Sequence, residues 1–105
     1  MSETNSNVAI LEKTETKIKI RKKYQVIMHN DKSTDFMVVL LILMEVFKKS
    51  KEEALKITEA IHKSGPTGKK VVAEYSSKNI ADSKASKAMS MAKDFGYPDF
   101  KVTVK

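Results

Sequence analysis

Seven consecutive residues, His29-Asn30-Asp31-Lys32-Ser33-Thr34-Asp35, concentrate hydrogen-bonding side chains, most of them acceptors. They run straight into Phe36-Met37-Val38-Val39-Leu40-Leu41-Ile42-Leu43-Met44, the most apolar stretch of the chain. Acceptors set against a greasy segment can make a small pocket with a polar rim and an apolar floor. Such a pocket suits a ligand with one charged end and one bulky apolar side chain. The other histidine of the chain, His62, falls near the end of an amphipathic segment. Each feature also has a plainer reading. Asx residues before a helix are common turn formers, and a histidine in the last turn of a helix is favoured by the helix dipole.

Other chemistry is hard to assemble. No Ser, Cys or Asp stands in a nucleophile motif, and no glycine-rich phosphate loop is present. His29, Asn30, Asp31 and His62 match no metal-ligand spacing, so neither a metal nor a cofactor is expected. Tyr75, Phe95 and Tyr97 are expected to pack rather than to line a ligand box.

These residues must be positioned by a chain of 105 residues, which implies one domain with a modest core. The absence of cysteine removes disulfides and thiolate metal sites. The longest apolar run, Phe36 to Met44, is far short of the roughly 20 residues that span a bilayer. The N-terminus lacks the basic start and long apolar stretch of a secretory signal. A cytoplasmic protein without a membrane partner is therefore expected. The net charge of +7 is compatible with an acidic or nucleic-acid partner. The one dense basic cluster is Lys17-Ile18-Lys19-Ile20-Arg21-Lys22-Lys23, and it lacks the interleaved aromatics of a stacking surface.

Residues 1–21 are rich in Ser, Thr, Asn, Glu and Lys and are expected to form a flexible tail preceding a core domain over residues 22–105. Tyr24 to Met28 reads as a strand. Thr34 is placed to cap a helix that runs to about Lys49, with Asp35 at its positive end. That helix is apolar nearly all round and is expected to be largely buried. Ser50-Lys51-Glu52-Glu53 is a capping box opening a second helix to about Lys63, with Ala54, Ile57 and Ile61 on one face. Gly65-Pro66-Thr67-Gly68 ends it. Val71 to Tyr75 reads as a strand, and Ser76 or Ser77 caps a third helix carrying Ala81, Ala85, Ala88 and Ala92. Gly96-Tyr97-Pro98 stops that helix, and Phe100, Val102 and Val104 alternate as a last strand. The result is an α+β fold of order β-α-α-β-α-β, three helices on one face of a three-stranded sheet.

The stretch Tyr24-Gln25-Val26-Ile27-Met28-His29-Asn30-Asp31, followed by Thr34, Phe36, Val39 and Phe47, resembles the ClpS adaptor family. The resemblance continues through Ile61-His62-Lys63-Ser64-Gly65 and Ile80-Ala81-Asp82-Ser83-Lys84-Ala85, and covers residues 22 to 105. It rests on the ordered combination of Lys-Tyr-x-Val-x-x-x-Asn-Asp, Thr and His-x-x-Gly rather than on any one part.

The resemblance implies a non-enzymatic adaptor with the same β-α-α-β-α-β order. ClpS proteins bind N-degrons, the N-terminal residues Phe, Tyr, Trp or Leu of substrate proteins. They deliver those substrates to the ClpA- or ClpC-type AAA+ unfoldase of the Clp protease, and a flexible N-terminal tail engages the unfoldase pore. By resemblance the substrate N-terminus would be held by Asn30, Asp31, Thr34, Phe36, Val39, Thr58 and His62, and the unfoldase by Asn79 and Lys84. The physical logic agrees. A free α-amino group is a cation with three donors, and each charge-assisted hydrogen bond to it contributes roughly 1.5–3 kcal/mol.

The chain departs from the family pattern at four positions. Lys32 stands where a second acidic residue usually helps hold the amine, so it repels a cation instead. Asp35 replaces a frequent Pro, Phe36 a gatekeeping Met, and Thr58 a Met of the pocket. These departures motivate a second reading, a ClpS-like modulator of the unfoldase with altered or lost N-degron recognition. A third, ranked below both, is a small basic nucleic-acid-binding domain resting on the Lys17–Lys23 cluster.

Overall fold

The computed structural model describes residues 22–105. The expected tail over 1–21 lies outside the described residues, as does the basic cluster apart from Lys22 and Lys23.

In β1 (Tyr24–His29) Val26 and Met28 point inward and are wholly buried, while Gln25 and His29 lie on the opposite face. β1 is the central strand. It pairs antiparallel with β2 (Lys69–Tyr75) on one side and with β3 (Val102–Val104) on the other. The register to β2 shifts between Val26 and Ile27, leaving Val72 as the extra residue of a bulge. Val72 is buried in the core. The helices α1 (Phe36–Glu45), α2 (Lys51–Lys63) and α3 (Lys78–Asp94) cover the inner face of the sheet. The expected α+β architecture and element order are those observed.

The first helix differs from its expectation in three ways. Asp35, not Thr34, is its N-cap, accepting from the Met37 N–H at 3.0 Å. A carboxylate is the stronger acceptor at a positive helix end, and the Thr34 hydroxyl is already donated to the Asp31 carboxylate. The helix stops at Glu45 rather than near Lys49. Lys48 takes a left-handed φ of 56°, and the Lys49 N–H returns to the Leu43 carbonyl at 3.1 Å. Finally, α1 is not buried all round. Val38, Val39, Leu40, Ile42 and Leu43 enter the core, but Met37 remains 54% exposed.

Ser50 caps α2 by accepting from the Glu53 N–H at 3.2 Å. Ala54, Ile57 and Ile61 face the core as their spacing predicts. Ser77 caps α3, and the small side chains of Ala81, Ala85, Ala88 and Ala92 are buried, which lets this helix approach closely. Tyr75 and Tyr97 pack against the core, but Phe95 does not. It occupies the C-cap of α3 and is 51% exposed, while Phe100, just before β3, is buried in the core. Among the described residues no helix is long and apolar enough to cross a membrane.

Candidate functional site

β1 delivers Asn30 to the rim of the sheet, where the α2–β2 loop crosses it. The Asn30 side chain donates from Nδ2 to the Gly65 carbonyl at 2.6 Å, and its backbone N–H donates to the Gly68 carbonyl at 2.9 Å. The amide is thereby fixed with Nδ2 engaged. No hydrogen bond to any described residue occupies Oδ1, which is left as an acceptor. The loop can pass this close because Gly68 lacks a side chain. A Cβ there would stand 2.2 Å from the Ser64 Cβ and 2.8 Å from its carbonyl carbon.

The turn after Asn30 is tied to itself. The Asp31 carboxylate accepts from Thr34 Oγ1 and, at 3.2 Å and 3.3 Å, from Ser33 Oγ, while the Asp31 carbonyl accepts from the Thr34 N–H. Thr34 is thus a buried post of the turn. Part of the accepting capacity of the Asp31 carboxylate is thereby taken. Lys32 projects from the same turn and is exposed.

Facing this turn, the last turn of α2 presents His62. Its imidazole lies against the ring of Phe36, centroids 5.2 Å apart and planes tilted by 30°. The first residue of α1 and the penultimate residue of α2 are thus brought together. Val39 and Thr58 enter the interior instead, exposed by 2% and 0%. The Thr58 hydroxyl donates back to the Ala54 carbonyl at 2.7 Å, which satisfies it within its own helix. The sequence predicts a pocket with a polar rim and an apolar floor. Among the described residues no cavity is open. Apolar side chains close on one another to leave water, so Asn30, Asp31 and His62 reach the surface while Thr34 and the floor residues lie covered.

His29 sits next to Asn30 on the outer face of the sheet, and its Nε2 pairs with Thr103 Oγ1 at 2.8 Å. Its pKa is held below the ordinary histidine value, first by burial and then by the nearby ammonium groups of Lys101 and Lys69. Among the described residues no three His, Asp or Glu side chains converge as a metal site would require.

Asn79 and Lys84 are on α3, away from this rim. Asn79 is exposed. Lys84 donates from Nζ to the Val46 carbonyl at 3.0 Å. It therefore supplies the cation that the C-terminal end of α1 lacks in its own sequence. Sequence reasoning missed this internal role, as it missed the Gly65 carbonyl that orients Asn30. A lysine on a neighbouring helix and a backbone carbonyl carry no residue signature for either task. The Gly-Pro-Thr-Gly composition of the loop was the only signal of either.

The sequence profile of the family described as "ATP-dependent Clp protease adaptor protein ClpS" matches residues 19–102. The adapter protein ClpS of Lawsonia intracellularis is 34% identical over 78% of this chain and 72% of its own length. That of Nitratidesulfovibrio vulgaris is 34% identical over 80% of this chain and 77% of its own. Among solved structures, Agrobacterium tumefaciens ClpS2 bound to L-phenylalaninamide superposes with a TM-score of 0.72 at 28% identity, covering 82% of this chain and 98% of that one. Profile, relatives and fold agree over the described domain, and the chain belongs to the ClpS family of ATP-dependent Clp protease adaptor proteins.

Proposed function

We infer that this chain holds the free N-terminal residue of a substrate protein at the rim built by Asn30, Asp31, Thr34, Phe36 and His62, and delivers that substrate to a Clp unfoldase. The observation that carries the reading is the fixed amide of Asn30. Donation to the Gly65 carbonyl leaves Oδ1 as a preset acceptor, and in this reading the His62 imidazole and the Asp31 carboxylate join it around the amine. An α-ammonium supplies three donors to such a set. The attached side chain would displace Phe36 from His62 and enter between α1 and α2, above Val39 and Thr58. Burying an aromatic ring there is worth roughly 1.5–3 kcal/mol. No catalytic step is involved, since the adaptor's work is binding and transfer, and the partner is an AAA+ unfoldase of ClpA or ClpC type.

L-Phenylalaninamide, the ligand of the Agrobacterium relative, is the minimal probe because it carries only the amine and the ring. Calorimetric titration should give saturable binding, with none for its N-acetyl form. Equal heats for the two compounds would defeat the reading.

A second reading is favoured by Lys32 and by the covered floor: an adaptor that binds the unfoldase without reading N-termini. Both readings place the unfoldase against α3, near Asn79 and Lys84. Asn79→Arg should abolish capture of the unfoldase in a pull-down. If wild type captures the unfoldase while phenylalaninamide leaves every resonance of the rim unmoved, the second reading replaces the first.

A further inference from the structure

The rim is bordered by cations that the adaptor reading does not use. Lys69 lies directly opposite His29 in the pairing of β2 with β1. On the other side the His29 N–H donates to the Lys101 carbonyl at 3.1 Å, one step beyond the Met28–Val102 pair. The three side chains therefore form a cross-strand row, Lys69–His29–Lys101, on the face of the sheet that no helix covers. Strands lie about 4.8 Å apart, so the row spans about 10 Å. Both ammonium groups act on His29, whose proton affinity they depress. Asn30 immediately follows His29, and the Gly68 carbonyl that binds the Asn30 N–H immediately precedes Lys69. The row thus adjoins the rim through the backbone at Asn30 and Gly68, and Lys32 is exposed on the adjoining turn.

These cations have no carboxylate partners among the described residues, where the one ion pair is Lys78–Asp82, on α3. The carboxylates at this end of the sheet are Asp31, Asp35 and Asp99. Asp31 is bonded by Ser33 and Thr34, and Asp35 caps α1. Neither they nor Asp99 pairs with Lys32, Lys69 or Lys101.

We propose that Lys69, His29 and Lys101, with Lys32, select substrates whose N-terminal residue is followed by acidic side chains. The proposal rests on the rim being the N-terminus site. An extended chain advances about 3.3 Å per residue. A substrate anchored by its amine beside Asn30, if its chain turns over the sheet edge onto the outer face, carries its second to fourth side chains along the row. Carboxylates there meet exposed ammonium groups, whereas Lys or Arg at those positions meets like charge. Lys32, which weakens attraction for the amine, then contributes to recognition of the substrate's second and later residues.

The test compares three peptides beginning with Phe, continuing as Asp-Glu-Asp, Gly-Ser-Gly or Lys-Arg-Lys, by fluorescence anisotropy at low salt. The acidic peptide should bind about three- to tenfold more tightly than the neutral one, the scale of a few exposed charge pairs. The basic peptide should bind more weakly than both. Half-molar NaCl, with a Debye length of about 4 Å, should bring the three together. The Lys69→Gln/Lys101→Gln variant should lose the preference while binding the neutral peptide as wild type does. Equal affinities for the acidic and neutral peptides, or a preference that survives in the double variant, overturns the proposal while leaving the N-terminus reading intact. If the neutral peptide does not bind at all, that reading fails first. If the acidic peptide binds equally with its amine acetylated, the row is a general polyanion surface and selection of N-terminal segments is refuted.

Discussion

Asn30→Ala separates the observed role of one side chain, the bond to Gly65, from the role proposed for it, the hold on the amine. The donor half, Nδ2, holds the Gly65 carbonyl at 2.6 Å in a half-buried setting. Losing a neutral hydrogen bond of this kind costs about 0.5–1.5 kcal/mol, and more if the carbonyl is left dry. Gly65 lies near the surface in a loop that water can reach, so the dry-carbonyl penalty is not added and the cost stays near 1 kcal/mol. For a domain of this size such a loss lowers Tm by roughly 4–8 °C. In the proposed site the acceptor half, Oδ1, acts only on the ligand. Removing one charge-assisted bond to an α-ammonium costs roughly 1.5–3 kcal/mol, or about 10- to 100-fold in affinity. Urea unfolding and peptide titration on the same preparation read the two halves independently. Wild-type stability would show that the Gly65 bond does not orient the amide. A destabilised variant that binds peptide as wild type does would remove Oδ1 from the amine site.

Four further perturbations test particular contacts. Lys48→Gly should raise unfolding stability by about 0.5–1 kcal/mol, because glycine relieves the left-handed φ of 56° at an exposed position. Gly68→Ala should destabilise the domain, since the new Cβ meets the Ser64 backbone at 2.8 Å, and it should weaken peptide binding by displacing the loop that anchors Asn30. The folded state holds His29 below its ordinary value of 6.5. As pH falls through that value the unfolded chain takes a proton that the folded chain refuses, so stability is lost until the folded pKa is passed. His29→Gln should flatten urea midpoints measured across that interval, and an unchanged slope would show that His29 is not the group responsible. Lys84→Met should destabilise α1 through the uncapped Val46 carbonyl, by roughly 1 kcal/mol in urea unfolding.

The parts of the fold visible in the sequence were those set by periodicity. Val26 and Met28 alternate into the core, and Ala54, Ile57 and Ile61 recur at helical spacing, so burial follows directly from position. What failed were choices between local competitors. Thr34 and Asp35 are both credible caps, and the outcome turned on Asp31 accepting the threonine hydroxyl, a contact within the turn that composition does not rank. The end of α1 was overrun because Val46 and Phe47 continue the apolar run. Only the backbone reversal at Lys48, in a residue that carries no turn signal, marks the stop. Phe95 shows the same limit, since an aromatic at a helix end can fall on either side of it.

At the site, residue types were legible and their state was not. Asn30, Asp31, Thr34 and His62 stand out in an acceptor-rich turn and through a resemblance. The structure brings Phe36 onto His62 and fixes Asn30, but it covers Val39 and Thr58 rather than exposing them as walls. Whether a greasy cleft stands open depends on side-chain packing, which no residue pattern encodes. The Lys69–His29–Lys101 row was equally invisible, because it is assembled across three strands whose register comes only with the fold.

The central claim is that one site reads both a free amine and the side chain beside it. The most direct measurement is the affinity of a Phe-first peptide set against two copies, one N-acetylated and one with a single Gly placed before the Phe. The account predicts that both changes reduce binding at least about tenfold, since the first removes the cation and the second moves the ring away from it. Three equal affinities would contradict it.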